Sequence, residues 1–260
     1  MNTSFADIEK KENRKDLIIS ICVFLSGFSC FAQLYYFQPL LPDLAKDFIL
    51  SASESSFAIS FSTLGMVFGL FTTMFVADRI PRKKMIGTGL LSSSIFSVAA
   101  SFSPTFLPLI LLSAAKGFLL SGATSVSMAY IAEEVSSRNK GKIMGLYIAG
   151  NALGGMAGRV ISSWIGALYT WRIASVSIGL ICALFAILFL LFSPRSTNFM
   201  PRKESFHTLI IANLQLITSK ALIPFYLTGG LILGVFVSLY NYLGFYLTKA
   251  PFNFPEHYIH

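Results

Sequence analysis

Seven apolar stretches, each near the length that crosses a bilayer, dominate this sequence: 17–41, 57–77, 85–102, 106–132, 143–169, 173–192 and 222–247. A helix needs about 20 apolar residues to span the hydrocarbon core. In lipid the backbone must satisfy its own hydrogen bonds, and a helix does so within one segment. The pattern therefore predicts an all-α polytopic membrane protein. Charge content agrees, since 12% of residues are charged against about 25% in soluble domains. So few charges cannot cover a water-soluble globule that also carries 25 phenylalanines. Soluble enzymes, disulfide scaffolds and disordered tails are excluded together. Lysines and Arg14 precede the first run as they would in a secretory signal. Its apolar stretch is too long for one and six spans follow it, so it reads as an uncleaved span.

The net charge of +8 could suggest nucleic acid. Its placement does not, because the basic residues sit in short loops between apolar runs. Lys10, Lys11, Arg14 and Lys15 precede run 1, and Arg79, Arg82, Lys83 and Lys84 follow run 2. Arg138, Lys140 and Lys142 follow run 4, and Arg195, Arg202, Lys203 and Lys220 follow run 6. Three-quarters of the basic residues thus share one side, which the positive-inside rule makes cytoplasmic, together with the N-terminus. Cys22, Cys30 and Cys182 lie inside apolar runs without metal spacing and read as core residues. No metal or cofactor is expected.

Run spacing gives the organisation: a cytoplasmic tail (1–16), a six-helix bundle (17–192), a cytoplasmic loop (193–221), a seventh helix (222–247) and a divergent tail (248–260). Within the loop, Phe206, Ile210, Leu214 and Ile217 recur at helical spacing. That spacing fits a short helix on the membrane surface, or a solvated linker. Six helices, a basic bridge and a new helix match the layout of a transporter built from two six-helix halves. Gly150, Gly154 and Gly158, with Gly155 beside them, and Gly65 with Gly69 offer small faces on which helix backbones can approach closely.

The loop after run 2 reads Asp78-Arg79-Ile80-Pro81-Arg82-Lys83-Lys84. It resembles the cytoplasmic signature of the major facilitator superfamily, roughly G-x-x-x-D-R-x-G-R-K/R. Met74 and Pro81 stand where that pattern has glycine. A carboxylate at a helix end ringed by arginines can form a latch that is made in one conformation and released in another. Glu133 and Glu134, at the end of run 4, are the natural second partners for Arg82. A plain topological anchor would also be basic, but would not need Asp78. Gly150-Asn151-Ala152-Leu153-Gly154-Gly155 is similar to the antiporter signature G-P-x-x-G-G, with Asn151 in the place of proline. With Gln38-Pro39-Leu40-Leu41-Pro42, Trp171-Arg172 and Tyr240-Asn241-Tyr242-Leu243-Gly244-Phe245, these motifs resemble the YnfM-type branch of bacterial major facilitators over residues 32–252. The resemblance implies a proton-driven exporter of small molecules in the inner membrane, working by alternating access. The family's R-x-x-Q-G is replaced here by Ser113-Ala114-Ala115-Lys116-Gly117. That departs from the arginine tied to proton coupling.

Ionisable groups at membrane depth are costly and usually functional. Lys116 reads equally as cavity lining or as a snorkelling lysine, and Arg159, toward the end of run 5, as snorkelling to the outer interface. The resemblance makes Gln33, Tyr36, Lys116, Tyr240 and Asn241 substrate contacts, with Asn151 a further polar candidate in the cavity. For the two tyrosines an interfacial aromatic belt is the alternative. A membrane enzyme lacks a nucleophile–base pair or metal cluster at depth, and a seven-helix receptor would have its N-terminus outside. The remaining rival is a fragment cut short after the seventh helix, inert alone or completed by a partner chain. The tail Asn253-Phe254-Pro255-Glu256-His257-Tyr258-Ile259-His260 prompts that expectation, because it does not resemble a continuing span.

Overall fold

A computed structural model describes residues 5–201 and 206–247; the expected tail at 248–260 lies outside the described residues. The chain forms α1 (Phe5–Tyr35), α2 (Leu41–Asp47), α3 (Ala52–Ser55), α4 (Phe57–Val76), α5 (Arg82–Ser101), α6 (Phe106–Glu134), α7 (Lys140–Leu168), α8 (Trp171–Phe192), α9 (Phe206–Ile217) and α10 (Ile223–Leu247). A 3₁₀ turn, Ala77–Arg79, joins α4 to the next loop. Among the described residues there is no strand.

Among the described residues, five stretches are long and apolar enough to cross a membrane: Glu12–Tyr35, Ala52–Arg79, Phe106–Glu134, Trp171–Phe192 and Ile223–Tyr240. The other two runs, α5 and α7, are helices of 20 and 29 residues but are richer in small and polar side chains. The physical reason is their packing. α5 lies between α6 and α8, and α7 lies along α1, so each turns a face to protein rather than lipid. Serine hydroxyls on α5 return to their own helix, Ser93 and Ser94 both donating to the Leu90 carbonyl at 2.8 Å. That leaves little polar surface to lipid.

Glycine lets α7 approach α1. A Cβ at Gly150 would lie 2.6 Å from the Phe24 carbonyl oxygen, and one at Gly158 would lie 2.7 Å from Ala32 Cα. Gly154, between them, faces the Phe28 backbone. α4 and α6 meet reciprocally, Gly65 against the Ala114 backbone and Gly117 against the Ser62 carbonyl. In lipid, where apolar burial gives no advantage over the tails, such close approach is what holds helices together. Gly155, expected on the same stripe, is turned about 100° from Gly154 and meets Tyr35 Cδ2 at 3.6 Å and Arg159 Nη1 at 3.7 Å instead.

Run 1 does not continue to residue 41 as one helix. α1 stops at Tyr35, and Tyr36–Leu40 form turns before α2 begins. Proline has no N–H and pushes the residue before it out of the helical region, so Pro39 ends the span. This break folds Tyr36, Phe37 and Leu40 into a sealed core with Leu109, Trp171 and Ile178. A second core, including Ile19, Leu90, Tyr130 and Phe189, fills the other end of the bundle. α9 covers the residues whose spacing predicted a short helix.

Candidate functional site

Two polar regions stand out, one at the helix ends around Arg82 and one in a cavity between α1, α7 and α10. At the first, the 3₁₀ turn and Pro81 deliver Arg82 to the start of α5, where it is 7% exposed. Its guanidinium donates to Asp78 Oδ1 at 2.9 Å, to Glu133 Oε1 at 3.1 and 3.2 Å, and to the Ala77 carbonyl at 2.7 Å. The Phe199 ring lies 4.9 Å from its carbon. Glu134 does not join Arg82. It accepts from Lys15 Nζ at 2.8 Å, from Thr197 Oγ1 at 2.8 Å and from the Asn198 backbone N–H at 2.7 Å. Lys83 turns away from Asp78, its ammonium donating to the Ser193 carbonyl and its backbone N–H to Ser196. Arg79 is exposed and makes no ion pair among the described residues. Asp16, which the motif reading overlooked, accepts from Ser136 and from Asn139 Nδ2, the latter at 2.8 Å. Arg82, Glu134, Lys83 and Asp16 all have partners, while Glu133 pairs through Oε1 alone, its Oε2 being buried without a hydrogen-bond partner among the described residues.

The second region is a cavity of about 650 Å³, within the range of small-molecule sites. α1 and the turn after it supply Phe31, Tyr35 and Gln38. α7 supplies Asn151, Gly155, Arg159 and Ser163, and α10 closes the side with Phe236 and Tyr240. Arg159, expected to snorkel outward, is held inside. Its Nε donates to Gln38 Oε1 and its Nη1 to the Gly155 carbonyl at 2.9 Å. The rings of Tyr35, Tyr240 and Phe236 surround its carbon at 4.7, 4.7 and 5.3 Å. Each such ring contributes about 0.5–2 kcal/mol to a cation. The break at Pro39 brings Gln38 to Arg159; hydropathy carries no such signal. Arg159 Nη2, Asn151 Oδ1 and Ser163 Oγ are buried without a hydrogen-bond partner among the described residues.

Of the substrate contacts implied by the resemblance, Tyr240 lines this cavity, and so does the further polar candidate Asn151. Asn241 belongs to α10, and its side chain lies outside the described residues. Gln33, Tyr36 and Lys116 do not line it; they are sealed within the six-helix bundle at 0%, 0% and 1% exposure. Gln33 Oε1 accepts from Ser97 at 3.2 Å, and the Tyr36 hydroxyl from Ser175 at 2.8 Å. Lys116 Nζ lies 4.5 Å from the Tyr36 ring centre and 4.9 Å from that of Phe37. It has no hydrogen-bond partner among the described residues.

At the opposite end from Arg82, Asp47 on α2 accepts from Trp171 Nε1 at 2.9 Å and from Arg172. These bonds, Arg172 first, hold its carboxyl below the usual carboxylate range. No group of three or more His, Cys, Asp or Glu suited to a metal lies among the described residues.

Stacked apolar helices, glycine-mediated packing and a cavity where α10 meets α1 and α7 define a multi-pass α-helical membrane protein. Sequence comparison gives its family: the model described as Major Facilitator Superfamily matches residues 20–256, and the chain belongs to that superfamily of transporters. It is 35% identical to an uncharacterized transporter of Buchnera aphidicola subsp. Schizaphis graminum, over 94% of this chain and 59% of that protein. It is 35% identical to the inner membrane transport protein YnfM of Escherichia coli K12, over 90% of this chain and 56% of that protein. An uncharacterized MFS-type transporter YybF of Bacillus subtilis 168 is 32% identical over 90% of this chain and 58% of its own length. The chain thus spans less than three-fifths of the length of these curated relatives.

Proposed function

We propose that this chain forms the first six helices and the opening helix of the second half of an inner-membrane secondary transporter. In this reading it exports small molecules by alternating access, driven by the proton gradient, with its N-terminus cytoplasmic. The cavity between α1, α7 and α10 carries the reading, because α10 opens the second half and closes a solute-sized space against the first. Asp78, Arg82 and Glu133 supply the cytoplasmic latch: Arg82 bridges two helix ends, and separating them would break its bonds to Glu133. Asp78 and Glu133 are 44% and 26% exposed, so water can take over as the pair opens. Among mid-span groups, Lys116 is the candidate to exchange a proton, since no Asp or Glu lies mid-span.

The test is a pH-sensitive dye trapped in proteoliposomes holding the chain, with an imposed proton gradient and a panel of small organic solutes. At least one solute should dissipate the gradient in the wild type, and Asp78→Asn should abolish that flux while the protein still inserts. No solute-dependent flux contradicts transport by this chain, and undiminished flux in Asp78→Asn contradicts the latch. A second reading, a half-transporter that needs further helices from a partner chain, is supported by α10, which is exposed along nearly its whole length. It predicts that flux appears only when the remaining helices of a relative are co-reconstituted.

A further inference from the structure

We infer that the cavity is a site for a small organic monoanion: an apolar or aromatic body carrying one carboxylate, which pairs with Arg159. The inference rests on the reading of this cavity as the solute site, and adds the chemistry of the solute. Three observations carry it. First, the charge is one-sided. Arg159 is the only charged side chain lining the cavity among the described residues, and no Asp or Glu lines it. A cation half withdrawn from water gains from a counter-charge, and no described residue lining the cavity supplies one.

Second, the guanidinium is fixed but not used up. Nε is held by Gln38 and Nη1 by Gly155, while Nη2 has no partner among the described residues. Three ring faces clamp the plane of the group and fix its rotamer before any ligand arrives. Such a donor suits a planar carboxylate acceptor. Ser163 also lines the cavity, and its hydroxyl has no hydrogen-bond partner among the described residues, whereas Asn151 Oδ1 is turned toward Gly27 of α1.

Third, the remaining wall is apolar. Phe31, Ile148, Met156, Leu233 and Leu243 offer nothing to hydrate a sugar or a multiply charged phosphate. The cavity therefore selects for one negative charge attached to an apolar body. The anion also removes the electrostatic cost of closing the cavity around a bare cation, so loading and closure are coupled by the same charge.

The experiment is equilibrium binding of radiolabelled benzoate to the 260-residue chain in nanodiscs of zwitterionic lipid, with benzamide as the uncharged competitor. Saturable benzoate binding is expected, with benzamide at least tenfold weaker, which corresponds to about 1.4 kcal/mol. Arg159→Gln should lose binding by tenfold or more, and Arg159→Lys by less, because the charge remains but the fork does not. Equal affinity for benzoate and benzamide, or no saturable benzoate binding, overturns the proposal without any variant. A phosphodiester headgroup has the same charge, so the measurement is repeated with phosphatidylglycerol in the disc. Benzoate displaced by that lipid in an Arg159-dependent manner would make the headgroup the occupant and overturn the assignment. The flux assay keeps this separate from the transport reading. Binding without flux sinks transport by this chain and leaves the anion site standing; flux of neutral solutes without benzoate binding does the reverse.

Discussion

The charge of Arg82, which is buried, and the charge of Arg159, which is half-buried, are handled in opposite ways. Arg82 has two carboxylates and a backbone carbonyl of its own chain. Arg159 has an amide, a carbonyl and three ring faces, but no negative partner among the described residues. A charge satisfied from within holds a conformation, and releasing it marks a change of state. A charge left half-satisfied in a cavity is completed by what enters. Lys116 is the extreme case, a lysine at 1% exposure with two ring faces and no hydrogen bond among the described residues.

The largest effect should come from the wall on which the cavity depends. Gly154→Leu forces a side chain into the Phe28 backbone, so α1 and α7 separate. Size-exclusion chromatography in detergent should show loss of monodisperse protein; a monodisperse, thermally unchanged variant would mean the glycine contact does not hold the wall.

One substitution at two basic residues separates the paired group from the unpaired one. Arg82→Met strands Glu133 and should cost about 2 kcal/mol, between the values for exposed and fully buried pairs. Lys116→Met removes a buried amino group with no hydrogen-bond partner among the described residues and should stabilise by about 1 kcal/mol, as apolar replacements of unsatisfied buried polar groups often do. Melting curves should therefore shift in opposite directions. A shift downward for both would mean that Lys116 has a partner as good as that of Arg82.

Asp47 gives the smallest effect. Its folded carboxyl titrates below its unfolded value because Arg172 and Trp171 donate to it. The stability it contributes is therefore present above the unfolded carboxylate range, near pH 4, and is lost as pH falls through the lower, folded value. With Asp47 side chain 44% exposed, solvent screens much of this. Asp47→Asn should flatten the acid limb of the stability curve slightly and leave stability at pH 7 little changed. A large loss at pH 7 would show that the contact is structural rather than electrostatic.

Much of this was legible in the sequence, for physical reasons. Runs of apolar residues must become helices in lipid, and all seven runs contain one. The motif set Asp78 among the arginines that follow it, and the ion pair with Arg82 is there, made across a non-helical turn at Ile80 and Pro81. The glycine stripe at positions 150, 154 and 158 was visible as a period of four. The position of Arg159 was not. Counting from the span end puts it near the interface, and the rule that long cations snorkel then sends it outward. Two non-local facts overrode that rule: the break after Tyr35 that carries Gln38 to it, and α10, more than 70 residues on, whose rings close over it. Tyr36 and Gln33 were misplaced for a related reason. Spacing along α1 does not say which face meets α5 and α8 and which meets the cavity.

The most direct test of the contrast between Arg82 and Arg159 is the melting temperature of wild type and Arg159→Met, each with and without saturating benzoate. Binding to the folded state alone raises stability with ligand concentration. Benzoate should raise the melting temperature of the wild type and leave Arg159→Met unmoved, while that variant without ligand melts no lower than the unliganded wild type. If Arg159→Met melts well below wild type and benzoate moves neither protein, Arg159 is a structural charge like Arg82, and the contrast between the two regions is wrong.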